Sequence, residues 1–200
     1  MMIRLLATLI LALAAPVQAM TFARNGDTLI LAGRVDPQDV QTAVMYGSGL
    51  TQVVIHDSPG GNMQAALRIA EVIRSSGAST TVKGLCVSAC ALIFLGGEQR
   101  TITSTGAIGL HSSTIDGLRS SNGNREMERF INWRTDNKFP SGLLARALSL
   151  TGSSSVVLIL ANSVHLIDNG RTTDLPAYRT AWHIGITTQP TLNLSVGKAR

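Results

Sequence analysis

Charge is scarce in this chain. Only 14% of its 200 residues are Asp, Glu, Lys or Arg, against about a quarter in an average domain, while the apolar fraction of 44% is ordinary. Disordered and coiled-coil chains carry far more charge, so both are excluded in favour of a globular fold. Aromatic residues are also few, at 4%, which removes the stacking platforms that hold single-stranded nucleic acids. The formal charge is +5, but the positive residues from Arg24 to Arg200 stand singly, with no run of three. No nucleic-acid partner is expected. There are two cysteines, Cys86 and Cys90, too few for a disulfide framework. Long apolar runs are missing apart from residues 5–15, well short of the roughly 20 residues that span a bilayer.

That one run lies where an export signal would place it. Arg4 makes a short positive region, the apolar stretch follows, and Pro16 leads to Val17-Gln18-Ala19 with small residues where a signal peptidase cuts. Cleavage is expected after Ala19, leaving a single domain over residues 20–200. No cysteine flanks the cut, so no lipid anchor is expected, and no membrane association after signal cleavage. The chain should be periplasmic or secreted, in a compartment where thiols tend to be oxidised and ATP is absent.

Strand and helix patterns then alternate. Residues 28–33 read as a strand. Asp36-Pro37 offers a cap and a first-turn proline for a helix carrying Val40, Val44 and Met45. The β-branched run 51–56 is a second strand, and Met63, Ala66, Leu67, Ala70 and Ile73 mark one face of a helix ending near Gly77. Residues 79–83, 100–104 and 107–111 supply further strands, with a short buried helix over 88–95. Repeated β-β-α and βαβ units of this kind imply an α/β fold, a mostly parallel sheet covered by helices. Beyond His111 a polar, Gly/Ser-rich loop over 112–123 precedes two helices, 124–138 and 141–150, split by Pro140 and expected as a helical appendage. Residues 155–167 are apolar, Asn169-Gly170 is a turn, and 176–183 reads as a last helix stopped by Gly185.

The chemistry gathers at three strand ends. Ser58-Pro59-Gly60-Gly61 follows one strand and opens a helix, where backbone amides are left unpaired and can face an anion. The next strand ends in the sharp turn of residues 84–90, with Ser88 at the start of an apolar helix; the serine could equally be a plain helix cap. His111 closes a third strand at the same carboxyl edge, where parallel sheets place their sites. A serine, a histidine and unpaired amides are what acyl transfer requires. His56 is a rival base, but neighbours in a strand point to opposite faces, so His56, Asp57 and Ser58 cannot form a triad among themselves. His165 and His183 have no paired spacing, so no metal site is expected.

These four segments, residues 28–36, 53–61, 84–90 and 108–111, fall in the order and spacing of the Clp protease proteolytic subunit, which the chain resembles over roughly residues 28–111. Within that superfamily, shared with the crotonases, it looks most like small exported Clp-like proteins whose nucleophile motif reads C-x-S-A-C, as residues 86–90 do. The resemblance implies Ser88 as nucleophile, His111 as general base, and the amides of Gly61 and Ala89 as oxyanion hole. The family's third residue, an Asp, precedes its last helix. Counting back from Gly185 reaches Thr173, so Asp174 is the choice and Asp168 the alternative. Cys86 and Cys90 flank the nucleophile, and their spacing leaves a disulfide and a pair of buried thiols both open.

The expectation is an ATP-independent exported serine peptidase acting on peptides or unfolded protein, with no cofactor, no ATPase partner and a homo-oligomeric state allowed by the family. The alternative is a Clp-fold binding or scaffold protein with an incomplete triad. Lys83 as base, on the pattern of signal peptide peptidases, and a crotonase-type acyl-CoA enzyme rank below both.

Overall fold

The computed structural model describes residues 19–150, 155–178 and 186–188. Residues 1–18 of the expected signal, His183 and Gly185 therefore lie outside the described residues.

The first half follows the alternating pattern. Strands β1 (Thr21–Asn25) and β2 (Thr28–Ala32) form an antiparallel pair. After them come α1 (Asp39–Tyr46), β3 (Gln52–Ile55), α2 (Met63–Ser76), β4 (Ser79–Val82), β5 (Leu85–Val87), α3 (Ala89–Leu95), β6 (Arg100–Ile102) and β7 (Ala107–Leu110). Helix α2 begins where the Asn62 side chain accepts from the Ala65 N–H at 2.8 Å and ends at Gly77, whose φ of 72° is the usual left-handed stop. Ala66, Ile69, Ala70 and Ile73 are its buried stripe. In α3 every residue is buried, so this helix has no solvent face at all. It packs between α2 and α4 (Ser121–Arg134). Arg134 from α4 closes its far end by donating to the carbonyls of Leu95, Gly96 and Gly97. Burial holds the guanidinium groups of Arg134 and Arg100 below their ordinary pKa.

Two sheets result, and they differ from a single mostly parallel one. The six-stranded sheet, in order β1-β2-β3-β4-β6-β13 with β13 at Ile186–Thr188, is parallel apart from β1. The five-stranded sheet runs β12-β11-β10-β7-β5, with β10 (Val156–Leu160), β11 (Val164–Asp168) and β12 (Arg171–Asp174), and only β5 and β7 are parallel. The reason is loop length: the short links at 161–163 and Asn169-Gly170 admit only antiparallel neighbours. Asn169 (φ 48°) and Gly170 (φ 78°) make the expected tight turn.

The polar loop after His111 is also more ordered than its composition implies. It folds into a hairpin of β8 (Thr114–Ile115) and β9 (Leu118–Arg119), turned at Asp116-Gly117, and α4 starts at Ser121 because the Ser120 hydroxyl accepts from the Gly123 N–H. Helices α4 and α5 (Ser141–Ser149) bury Met127, Ile131, Leu143, Leu144 and Ala147 in the same core cluster as α2 and α3. Of the last expected helix, Pro176–Tyr178 is a single 3-10 turn, and residues 179–183 lie outside the described residues.

Between the sheets runs a short crossing tier. Residues 57–62 bond on one side to Gly33 and Val35 (Gly33 N to Asp57 O 2.9 Å, Val35 N to Gly60 O 2.8 Å, Asn62 N to Val35 O 2.8 Å). On the other side they bond to β5 (Ser58 N to Leu85 O 2.7 Å, Val87 N to Ser58 O 3.0 Å). Gly61 has a φ of 143°, and a Cβ there would fall on the Val35 carbonyl oxygen. Replacing Gly61 with alanine is expected to lower stability by about 2 kcal/mol or more, read as a lower urea midpoint at unchanged slope. An unchanged midpoint would mean that this tier is not formed.

Candidate active site

Strand pairing brings Ser88 and His111 to one edge. β5 and β7 are parallel neighbours with Val87 opposite Gly109, and the Ser88 N–H donates to the Gly109 carbonyl at 2.8 Å. Ser88 therefore follows the carboxyl end of one strand and His111 that of the next, with strands about 4.8 Å apart. Ser88 has φ 59° and ψ −125°, a backbone conformation that a non-glycine residue adopts only when its surroundings impose it. Gly60 is part of that surrounding: a Cβ on it would lie 2.5 Å from the Val87 oxygen and 2.7 Å from the Ser88 Cβ.

Two amides beside Ser88 are left without a backbone acceptor among the described residues. In the parallel bridge between Val35 and Gly61, Val35 exchanges its bonds with Gly60 and Asn62, so the N–H of Gly61 itself points away from Val35. It has no backbone acceptor among the described residues. Ala89 opens α3, and the first amide of a helix has no acceptor within the helix. Gly61 and Ala89 line, with Ser88 and His111, one cavity of about 670 Å³.

The protonation of His111 follows from its neighbour. Its Nδ1 lies 2.8 Å from the Ser112 carbonyl oxygen, which can only accept, so Nδ1 carries the proton of the neutral ring. Nε2 is left with a lone pair, the form a general base requires. Ser112 is itself fixed: it is fully buried and its hydroxyl donates to the Leu150 carbonyl.

The cavity wall mixes apolar side chains (Met63, Leu92, Met127) with polar ones (Arg34, Asp36, Gln64, Glu126). Arg34 Nε is 3.5 Å from Asp36 Oδ1, and Gln64 donates to Glu126 at 2.6 Å, joining α2 to α4 across the wall. Behind Asp36, the nearly buried Asp39 accepts from the Asp36 N–H, and burial pushes its carboxyl pKa up.

Asp174 and Asp168 do not join this group. The turn at Asn169-Gly170 sets the register, placing Asp174 opposite His165, His165 opposite Leu158, and Leu158 opposite Gly109. Three strand spacings, about 14 Å, thus separate Asp174 from β7. Its Oδ1 is 3.8 Å from His165 Nδ1, while His165 Nε2 is 2.8 Å from the Ser163 hydroxyl. Asp168 accepts from Ser155 at 2.5 Å and from Asn169 at 3.2 Å. Neither carboxylate lines the cavity, and neither do His56 and Lys83. Cys86 and Cys90 are joined by a disulfide, with Cα atoms 5.2 Å apart. No group of His, Cys, Asp and Glu suited to a metal ion occurs among the described residues, and no helix there is long and apolar enough to cross a membrane.

Several groups at or behind the cavity wall escape sequence reading. The Ser112 carbonyl has no side-chain signature at all. Gln64 and Glu126 meet only through tertiary packing. The hairpin, by contrast, carries a local signal in Asp116-Gly117 between Ile115 and Leu118.

No protein-family model and no curated protein sequence matches the chain. Solved structures do resemble it. ClpP1 from Listeria monocytogenes matches with a TM-score of 0.53 at 14% identity, over 68% of this chain and 84% of that one. A point mutant of the same ClpP1 gives 0.54 at 15%, with the same coverage of 68% and 84%. An enoyl-CoA hydratase from Polaromonas sp. JS666 overlays too loosely to inform the site, with a TM-score of 0.47 at 13% identity over 86% of this chain and 71% of that one. At such identities likeness concerns architecture alone, and the chain has an α/β fold of the ClpP type.

Proposed function

We propose that this protein is a serine peptidase that hydrolyses peptide bonds through an acyl-enzyme on Ser88. The observation that carries the reading is the meeting, on one cavity, of Ser88, a His111 with a free Nε2 lone pair, and the amides of Gly61 and Ala89. His111 Nε2 takes the proton of the Ser88 hydroxyl as the oxygen attacks the scissile carbonyl. The two amides donate to the oxyanion that forms. The imidazolium then protonates the leaving amine, and a water activated by the same nitrogen releases the acyl group.

The third role falls to the Ser112 carbonyl rather than to a carboxylate. It fixes the same tautomer that a triad Asp would fix, but offers the imidazolium a dipole in place of a full charge. The cavity, with apolar Leu92 and Met127 beside polar groups, suits a peptide or an unfolded segment. An export signal over residues 1–19 would place the activity in the periplasm or outside the cell, independent of ATP, as one domain over residues 20–200 and in a homo-oligomer. The displacement of Asp174 supports a second reading, a binding protein that keeps the fold without turnover.

A fluorophosphonate incubated with the purified protein is expected to add once, on Ser88, and the adduct to be lost in Ser88→Ala and His111→Ala, read by mass spectrometry. A folded protein that takes up no label would favour the binding reading. Asp174→Asn and Asp168→Asn are expected to label within about threefold of the unaltered chain, since neither carboxylate reaches the base. A loss of about a hundredfold or more in either, approaching the effect of a missing triad carboxylate, would restore that residue to the site.

A further inference from the structure

We propose that the Cys86–Cys90 disulfide is a positioning element for Ser88, so that the nucleophile is competent only while the bridge is closed. The inference rests on the reading of Ser88 as nucleophile and adds a condition to it.

The bridge joins two elements across the site. Cys86 is the middle residue of β5 and Cys90 the second residue of α3, and Ser88 is the single residue between strand and helix. A straight strand would separate residues four apart by about 13 Å. The bridge holds the two Cα atoms at 5.2 Å, so no extended form of residues 86–90 is open to the closed chain. The unusual Ser88 backbone, φ 59° and ψ −125°, lies at the apex of the enforced reversal. Two hydrogen bonds also hold the turn, Ser88 N to Gly109 O at 2.8 Å and Ala91 N to Ser88 O at 3.0 Å. Neither joins β5 directly to α3.

The fold itself needs the bridge less. It closes a ring of five residues, for which the loss of unfolded-chain entropy is small compared with that of a long loop. Cys86 is also held by pairing with Ile108 in β7 and with Ser58 in the crossing tier, and Cys90 by the buried surround of α3. Opening the bridge therefore removes the constraint over Ser88 while leaving both elements in place. A dithiol would open it with atoms balanced: two cysteine thiols form on the protein and one disulfide on the reductant. Both cysteines are fully buried, so a substitution is the cleaner route.

The test compares the oxidised chain with a Cys86→Ala/Cys90→Ala double variant. It reads the rate of Ser88 labelling by a fluorophosphonate, kcat and KM on a labelled peptide, the melting temperature, and hydrogen exchange at the Ser88 and Ala91 amides. Expected are a labelling rate and kcat at least about tenfold lower, KM within about twofold, a melting temperature changed by a few degrees, and faster exchange at those two amides. Equal labelling in chain and variant would overturn the inference and leave the peptidase reading intact. If the oxidised chain takes no label, the peptidase reading fails, and exchange decides the bridge: equal protection at Ser88 and Ala91 overturns its positioning role, and faster exchange in the variant alone upholds it. Should the variant not fold, dithiothreitol-treated chain is read by the same four measurements, with the same outcomes deciding.

Discussion

The site depends on the double hydrogen bonding of the crossing tier. Residues 57–62 are bonded on one side to Gly33 and Val35 and on the other to Leu85 and Val87. A backbone bonded on both edges cannot slide in either direction without breaking a ladder. That fixes where the Gly61 amide lies relative to the Ser88 turn, and the parallel bridge with Val35 fixes which way that amide points. Two glycines are obligatory for it. Gly60 sits against the Val87 and Ser88 backbone, Gly61 against the Val35 carbonyl, and both have positive φ. A motif that reads as a plain Pro-Gly-Gly turn is thus the central rung of the site.

The packing behind this rung explains why it is rigid. Helix α3 has no exposed residue, so it cannot rotate without carrying an apolar surface into water, at about 25 cal/mol per Å² exposed. Its near end presents Ala89 and the Ser88 turn. Its far end is closed by Arg134, whose guanidinium reaches three carbonyls from Leu95 to Gly97. Trp133 beside it lies 5.4 Å from the Arg134 guanidinium and 5.2 Å from that of Arg74. This places cation-ring contacts on the α2–α4 side of the same helix. The desolvation that lowers the Arg134 pKa is the consequence of using a cation as a cap in a buried place.

How far the site could be read from sequence follows from how each part is encoded. Elements built on local periodicity, such as α2 with its alanine and isoleucine stripe, were legible, and so was the strand before His111. β5 was not, because three residues carry no periodicity. β10, β11 and β12 belong to an apolar stretch in which strand and helix look alike over short runs. The placement of Asp174 has the same origin: two hairpins lead up to it and set its register opposite His165. The acceptor that His111 does meet, the Ser112 carbonyl, belongs to the backbone and leaves no mark on the sequence.

On the peptidase reading, a carbonyl in that place changes what the rest of the site has to supply. A carboxylate beside a histidine does two things: it selects the tautomer and it stabilises the cation that forms when the ring takes a proton. The Ser112 carbonyl does the first through the 2.8 Å contact with Nδ1, but a neutral dipole does the second only in part. The remaining stabilisation of the transition state must then come from groups aimed at the developing oxyanion and from a nucleophile that needs no reorganisation. Those are the features most strongly built here: the Gly61 amide set by ladders on both sides, the Ala89 amide at the start of α3, and a serine whose backbone is held at φ 59° between a strand and a fully buried helix. On the peptidase reading, a site of this design replaces charge at its third position with rigidity at its first.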